Sequence, residues 1–254
     1  MSIVTALQRM NRGSHFRADV LRAGDLIDPF LGVDHAWMSG PTFPAHPHAG
    51  FSAVSYLFLD SETGIDNRDS LGTQNLIRPG GLHWTTAGRG IVHEEHPAEP
   101  GKTVHSLQIF VDLASGRKDI EPFSLTLESQ DVPVVQLAGV EVRVPVGSFG
   151  GTRSPLNPPT HVTMLDISLE EGAELVVPVE AGESAFVMPI FGAAAVDGDS
   201  FEHNDLKLPV YPVQTAPHAI RLQAPRGNAK VMLFAGAPLL SRQQPGACGE
   251  ARAE

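Results

Sequence analysis

The amino-acid sequence predicts an all-β protein that folds as two barrels. Its 254 residues include 25 glycines and 21 prolines, which divide the chain into short segments. Between them lie apolar runs rich in Val, Ile, Phe and Thr, such as SAVSYLFL, LQIFVDL, MLDISL and AKVMLFAG, which are typical of strands. Helical periodicity is nearly absent, and Ser2–Met10 is a weak helix candidate. Many short strands with frequent turns indicate a sandwich or a barrel.

An internal similarity indicates that there are two such barrels. The stretch AHPHAGFSAVSYLFL resembles VVPVEAGESAFVMPIF in strand length and in its Ala-Gly turn. At the position of the HPH tripeptide (residues 46–48) the second copy has VPV (residues 177–179), so polar ligands are expected in the first barrel only. We expect the two domains to span residues 1–130 and 131–242, followed by a disordered tail over residues 243–254.

Charge and cysteine content argue against several classes of function. The net charge of −11 and the pI near 5.4 disfavour direct nucleic-acid binding, which needs clustered Lys and Arg. The local exception is an N-terminal group of Arg9, Arg12, Arg17 and Arg22, which we interpret as a solvated segment. The single cysteine, Cys248, cannot form an internal disulfide, and the apolar runs fall short of the roughly 20 residues of a membrane span. With no leader pattern visible, a cytoplasmic protein without membrane contact is the expectation.

Two pairs of residues carry the ligand chemistry. In FPAHPHAGF, His46 and His48 stand two apart on an extended segment, so their side chains share one face. In the stretch IVHEEHP, His93 and Glu95 form a second such pair. An H-x-H followed about 45 residues later by an H-x-E offers three imidazoles and one carboxylate, a set that suits Fe(II), Mn, Co, Ni, Cu or Zn. Closed structural zinc sites usually recruit cysteine, so a site with open positions for substrate, water or dioxygen is expected.

Other polar residues are weaker candidates for this site. Glu94 is the alternative carboxylate, but Glu94 and His96 are predicted to point to the opposite, exposed face. His83 is a candidate for facing the cavity, and His105 for a partner that orients a ligand. The other histidines are interpreted as structural: His15, His35, His161, His203 and His218. The sequence contains no nucleophile elbow, P-loop or dinucleotide-binding fingerprint.

These motifs together resemble the pirin family of the cupin superfamily. Gly40, five further residues and the HPH tripeptide match the first cupin motif, G-x5-H-x-H. The narrower likeness to pirins rests on DPFLGVDH, FPAHPHAGF, RDSLG, RPGGLHWTTAGRGIVHEE and HSLQIFVDL. The resemblance implies a bicupin with two double-stranded β-helix (jelly-roll) barrels and one mononuclear metal, commonly Fe(II), in the N-terminal barrel. Carried over by motif, the metal ligands are His46, His48, His93 and Glu95.

The resemblance also implies two functions of different classes. Some pirins resemble quercetin 2,3-dioxygenases, which open a flavonol ring with dioxygen, and Glu95 would then be the catalytic proton acceptor. Phe43, Phe51 and Trp84 are candidates for an apolar mouth, although core packing is the favoured role of each. The alternative is a non-enzymatic, redox-dependent regulator that binds a transcription factor or a metabolic enzyme. A surface loop over Asp60–Asn67 is the candidate contact for such a protein partner.

The sequence departs from the family pattern close to the ligands. Where many pirins read HPHRGFE, this chain has Ala49 and Ser52, and Asn67 replaces the usual histidine before RDSLG. By strand parity with His46 and His48, Ser52 is expected on the ligand face. We expect these departures to change substrate preference more than metal binding.

Overall fold

The structure, a computed structural model, describes residues 1–239, so the predicted tail and Cys248 lie outside the described residues. Within this range the chain is largely strand, with three short 3-10 turns and no α-helix, and the all-β prediction is confirmed. Among the described residues, no helix has the length and apolar character needed to cross a membrane.

The strands are numbered here in chain order. The first twelve are β1 (Ile3–Ala6), β2 (Gln8–Arg12), β3 (Phe16–Leu21), β4 (Phe30–Met38), β5 (His46–His48), β6 (Phe51–Leu57), β7 (Ile65–Asp69), β8 (Gln74–Ile77), β9 (Leu82–Thr86), β10 (Ile91–Pro97), β11 (Val104–Asp112) and β12 (Phe123–Leu127). The others are β13 (Val134–Leu137), β14 (Val140–Val146), β15 (Ser148–Phe149), β16 (Thr152–Arg153), β17 (Val162–Leu169), β18 (Glu174–Val179), β19 (Ser184–Phe191), β20 (Ala193–Val196), β21 (Asp199–Glu202), β22 (Lys207–Tyr211), β23 (His218–Gln223) and β24 (Ala229–Gly236). The 3-10 turns are Gly24–Ile27, Ser115–Arg117 and Ser129–Asp131.

The strands form two similar barrels, each built from a seven-stranded and a four-stranded sheet. In the first barrel the strand orders are β12-β9-β6-β11-β4-β3-β2 and β5-β10-β7-β8. In the second they are β1-β22-β19-β24-β17-β14-β13 and β18-β23-β20-β21. Strands at equivalent places in the two barrels follow the same order along the chain, with β1 as the exception. This arrangement is the predicted pair of jelly-roll barrels of a bicupin.

Strand pairing crosses the predicted domain boundary at one place. Strand β1 pairs with β22, with Ile3 opposite Val210, so by pairing it belongs to the second barrel, although residues 1–130 were assigned to the first. Strand β12 occupies the equivalent edge of the first barrel, beside β9. Sheet membership otherwise changes between Leu127 and Val134. The division near residue 130 into folding units stays a prediction.

The predicted helix at Ser2–Met10 is wrong. This segment runs through β1 into β2, and its backbone pairs with β22 and with β3. Hydrogen bonding to two different sheets outweighs a weak local helix propensity, because tertiary context routinely overrides such preferences.

The largest hydrophobic core lies between the two seven-stranded sheets. Phe30 packs edge-on against Phe186 and Phe234, with ring centroids 5.4 and 5.5 Å apart, and Phe186 stacks on Phe234 at 4.6 Å. Val54 and Tyr56 of β6 belong to the same buried cluster. Because side chains alternate along a strand, the other face of β6 turns into its own barrel.

The interiors of the two barrels differ in chemistry. The second is filled by a large cluster of buried apolar side chains that includes Val177 and Val179 of β18. In the first barrel the equivalent strand β5 carries His46 and His48, and the apolar cluster around Met38 is small. The first barrel therefore has a polar interior that can hold a ligand.

Candidate metal centre

The two predicted ligand pairs lie on adjacent strands. Strands β5 and β10 pair antiparallel, with His46 opposite His93 and His48 opposite Ile91. Pro47 between the two histidines fixes its own φ and lacks an N–H, which suits the edge position of β5 in its sheet. Alternation along each strand turns His46, His48 and His93 to the same side. The register thus brings together residues that are distant in sequence.

The three imidazoles converge on one small volume. One ring nitrogen from each of His46, His48 and His93 lies within 4.8 Å of the others. The Nε2 atoms of His48 and His93 are 3.0 Å apart. The Nδ1–H group of His46 donates to the carbonyl oxygen of Pro44 at 2.9 Å, so in the neutral ring Nε2 carries the lone pair. This donor set fits a divalent metal ion, since three imidazole nitrogens lie close enough to share one cation.

The surroundings keep two of these rings neutral. Burial, followed by the charge of His46, lowers the pKa of His48 to about 4. Burial, followed by the charges of His48 and His46, lowers the pKa of His93 to about 3. The Nδ1 atom of His93 is buried without a hydrogen-bond partner in the described chain. Neutral rings are the form that binds a metal, so the site does not have to expel protons at pH 7.

Glu95 lies in the same pocket and is held by Ser55. The Oγ atom of Ser55 lies 2.8 and 2.9 Å from the two carboxylate oxygens of Glu95, to which it donates. The same hydroxyl is 3.2 Å from Oε1 of Gln108. Burial raises the pKa of Glu95 to about 7, and the Ser55 hydrogen bond opposes that rise. A carboxyl group that titrates near neutrality can take up or release a proton under physiological conditions.

The histidines and Glu95 line a cavity of about 140 Å³. Its apolar wall includes Phe16, Phe43 and Phe110. Phe43 packs edge-on against Phe16 at 5.0 Å, with the Arg12 guanidinium 4.7 Å from its ring centroid. Of the aromatic residues considered for an apolar mouth, Phe43 lies in the wall, Phe51 packs against the His48 ring at 5.2 Å, and Trp84 is fully buried in the core between the sheets.

The weaker histidine candidates lie elsewhere. His83 is buried, 3.3 Å from Nδ2 of Asn67 and 3.1 Å from Oγ1 of Thr126, and it does not line the cavity. His105 contacts Asp60 and His35 rather than a member of the three-histidine cluster. Both side chains belong to other hydrogen-bond networks of the first barrel.

Three expectations about neighbouring residues are corrected. Glu94 and His96 are half-buried rather than exposed, and their side chains pair at 3.3 Å. Ser52 is fully buried on the core side of β6, because the chain turns at Gly50 (φ +78°) and parity is not kept from β5 to β6. Its hydroxyl has no hydrogen-bond partner among the described residues. Asn67 is buried in β7, opposite Glu95, so Asp60–Asn67 is not one surface loop.

Sequence reasoning missed Ser55 and Gln108. Both are polar residues inside apolar strand runs, SAVSYLFL and HSLQIFVDL. They lie directly opposite each other in the β6–β11 pair, and both line the cavity. A polar residue in a buried strand needs a partner, and that signal was available without the structure.

Comparison with known proteins decides the family. The sequence model of the Pirin family matches residues 12–111, the part of the chain that holds every residue of the centre. Human Pirin is 34% identical over 201 residues, which cover 78% of this chain and 68% of the human protein. The chain belongs to the pirin family. Pirin-like protein 2 of Arabidopsis thaliana is 37% identical over 72% of this pirin chain, which spans only 56% of that relative's length.

Solved structures share the fold of this pirin chain. GK1651 from Geobacillus kaustophilus is 29% identical with a TM-score of 0.85, covering 96% of this chain and 97% of that one. A quercetin 2,3-dioxygenase from Acinetobacter baumannii is 24% identical with a TM-score of 0.83, covering 94% and 88%. The bacterial pirin YhhW from Escherichia coli, in complex with nickel(II), is 16% identical with a TM-score of 0.73, covering 94% and 100%. The three-histidine cluster of this pirin is a candidate site for one divalent metal ion.

Proposed function

We propose that this protein holds one divalent metal ion, preferably Fe(II), and uses it to open flavonols such as quercetin with dioxygen. The observation that carries the proposal is the convergence of His46, His48 and His93 in a pocket that also contains Glu95. These four residues would be the metal ligands. A quercetin 2,3-dioxygenase with the same fold supports the reaction class.

The chemistry that a bound divalent metal supplies in such a site is Lewis acidity toward a substrate oxygen and electron exchange with dioxygen. The protein's own groups do the rest. Glu95 would accept the proton of the substrate hydroxyl on leaving the metal transiently, and the hydrogen bond from Ser55 would hold its carboxylate in position. The hydrogen bond from Ser55 limits the positions that the Glu95 carboxylate can take. A fixed position of the base relative to the substrate proton is a geometric condition for general-base catalysis.

The apolar wall limits what reaches these groups. Phe43 and Phe110 line the cavity beside the histidines, so the reacting ring would meet apolar carbon rather than water. A volume of about 140 Å³ is small beside the roughly 300–1,000 Å³ of ordinary ligand pockets. We therefore infer that only the reacting part of a flavonol enters, with the remainder lying beyond Phe43, or that the Phe43 side chain moves aside.

The test is turnover by the reconstituted full chain. Protein freed of metal is loaded anaerobically with Fe(II), Mn, Co, Ni, Cu or Zn in parallel, and quercetin consumption and carbon monoxide release are followed after dioxygen is admitted. We expect steady turnover with at least one metal and none in the His46→Ala/His48→Ala variant. Full metal loading without turnover under all six conditions would overturn the enzyme proposal. That result would favour the alternative function, in which the protein is a metal-dependent regulator that binds a protein partner.

A further inference from the structure

A second cavity, of about 900 Å³, lies between the two barrels. None of the four proposed metal ligands lines it. The first barrel contributes Arg17, Trp37 and His105 to its wall, and the second contributes Phe191 and His203. We call this cavity the interbarrel groove. Its volume is within the range of roughly 300–1,000 Å³ that is usual for small-molecule sites.

Aromatic rings from both barrels line the interbarrel groove. Trp37 stacks on His105 with centroids 5.2 Å apart and an interplanar angle of 10°. From the second barrel, Phe191 stacks on His203 with centroids 6.2 Å apart and an interplanar angle of 23°. Phe191 is 60% exposed, the highest fraction among the exposed large hydrophobic residues of the described chain apart from Met1. A solvent-exposed aromatic ring in a concave site offers a free face for stacking.

The rim of the groove adds further apolar surface. Leu59 and Leu137 line it from opposite barrels and are 49% and 48% exposed. Single exposed apolar residues are ordinary, but several around one concavity mark a binding site. The ligand therefore has an apolar body.

His105 has no ring nitrogen that is free for catalysis. The Nδ1–H group of His105 donates to Asp60 at 2.8 Å. Its Nε2 atom lies 2.7 Å from Nε2 of the buried His35, which leaves no ring nitrogen of His105 for a ligand. The Trp37–His105 pair is thus a fixed aromatic surface of the groove.

Arg17 is a cation of the groove without a carboxylate partner among the described residues, although Asp60, Glu141 and Glu170 also line the wall. Arg9 and Arg22 of the same N-terminal segment are bound by Asp19 and Asp34 through two hydrogen bonds each. Arg17 has no carboxylate partner among residues 1–239, and its guanidinium lies 3.8 Å from the Trp37 ring centroid. A guanidinium stacked on an aromatic ring keeps its N–H donors free for a carboxylate.

We propose that the interbarrel groove is a binding site for a planar aromatic anion. The ring of the ligand would lie against Phe191 and the apolar rim, and its carboxylate would bind Arg17. This site is separate from the metal centre and does not depend on the proposed reaction. Lys230, another cation of the wall, is bound by Asp166, so Arg17 is the group that would attract the carboxylate of the ligand.

Trp37 makes the site directly observable. The chain has two tryptophans, and Trp84 is fully buried, so the Trp84→Phe variant leaves Trp37 as the reporter. The metal-free full chain is titrated with 2-naphthoate and, separately, with the neutral 2-naphthamide. We expect a saturable change in Trp37 fluorescence with 2-naphthoate at one site per chain. Binding of 2-naphthamide should be about fivefold weaker, because it lacks the ion pair with Arg17 and one exposed ion pair contributes a factor of about five.

Matched variants locate the binding. Arg17→Gln should weaken 2-naphthoate binding about fivefold and leave 2-naphthamide unchanged, because the lost contact is to the carboxylate. Arg12→Gln is the control, since Arg12 also stacks on an aromatic ring without a carboxylate partner in the described chain, but does so at the metal pocket. Phe191→Ala should weaken both probes about fivefold through the lost ring contact.

Isothermal titration calorimetry of the unaltered chain measures the Kd of each probe without the Trp84→Phe substitution. Equal affinity for the two probes, equal loss in the Arg17 and Arg12 variants, or signals that do not saturate would each overturn the proposal. A Kd that responds to Arg17 and Phe191 but not to Arg12 supports it.

Discussion

The hydroxyl of Ser55 lies 2.8 Å from a carboxylate oxygen of Glu95, although 40 positions separate the two residues in the sequence. Strand β6, which carries Ser55, belongs to the seven-stranded sheet of the first barrel, and β10, which carries Glu95, to the four-stranded sheet. The hydrogen bond therefore ties the two sheets together at the metal centre. The contribution of this hydrogen bond to metal binding can be tested by comparison with a buried serine that does not contact Glu95.

Ser55→Ala should weaken metal binding about tenfold, the lower end of the effect of groups that orient a metal ligand. Ser52→Ala is the matched control, because Ser52 lies three residues away on the other face of β6 and its hydroxyl has no hydrogen-bond partner in the described part of the chain. Metal affinity measured by competition with a chelator distinguishes the two variants. Equal affinities would mean that the Ser55 hydroxyl does not orient Glu95.

Glu95→Gln should lower metal affinity far more than Glu94→Gln. Glu95 faces the pocket with the three histidines, whereas Glu94 faces away and pairs with His96. Losing one charged ligand from a set of four removes both a bond and the charge that offsets the cation. Elemental analysis after dialysis against a fixed free metal concentration gives the comparison. If both variants lose metal alike, the assignment of Glu95 is wrong.

Metal-free protein should lose stability on acidification, in part through His83. Burial lowers the pKa of His83 to about 4, against the opposing charge of Asp69. As the pH falls, the unfolded chain takes up this proton near pH 6.5 while the folded chain does not. The contribution of the neutral His83 ring to the free energy of unfolding is fully present above pH 6.5, and it is lost as the pH falls from 6.5 to about 4.

The size of this effect follows from the linkage relation. Between pH 6.5 and 5, His83 should remove about 2 kcal/mol from the free energy of unfolding. The His83→Gln variant should lose about 2 kcal/mol less than the wild type over that interval, as measured by urea denaturation at both pH values. Parallel losses in the two proteins would show that His83 is protonated in the folded state.

Phe186→Ala should cost about 3–5 kcal/mol of stability, because it opens a cavity in the core between the barrels. Phe186 is fully buried and contacts both Phe30 and Phe234. Phe191→Ala on the same strand is the control and should stay within about 0.5 kcal/mol, because that ring is 60% exposed. Urea denaturation with unchanged m-values is the measurement. Similar losses in both variants would mean that the sheets do not pack through this core.

The sequence was sufficient for those parts of the site that follow a local period. His46, His48 and His93 were predicted from two-residue spacing alone, and the paired strands place them together. Ser52 was misplaced because parity holds only within one strand, and Gly50 at φ +78° interrupts it. The strand structure of Ser2–Met10 was not predicted, because it depends on pairing with distant strands such as Lys207–Tyr211 rather than on local propensity.

The interbarrel groove could not be predicted from the sequence for a related reason. Trp37 and Phe191 lie in different barrels, and no spacing rule connects them. Arg17 was recognised as part of a basic segment, but only the structure shows that Arg9 and Arg22 are neutralised by carboxylates, whereas Arg17 has no carboxylate partner within residues 1–239. Charge compensation depends on side-chain contacts that composition does not contain.

The pairing of β1 with β22 has a consequence for how the protein is made. During synthesis on the ribosome, Ile3–Ala6 emerges long before its partner Lys207–Tyr211, because the whole first barrel lies between them in the sequence. A nascent first barrel therefore carries this strand without its β22 partner until Lys207–Tyr211 has been synthesised, and the strand is meanwhile open to pairing with other nascent chains. A circular permutant that moves Ile3–Ala6 to follow the second barrel would shorten this wait, and it should reduce aggregation during expression at high ribosome density.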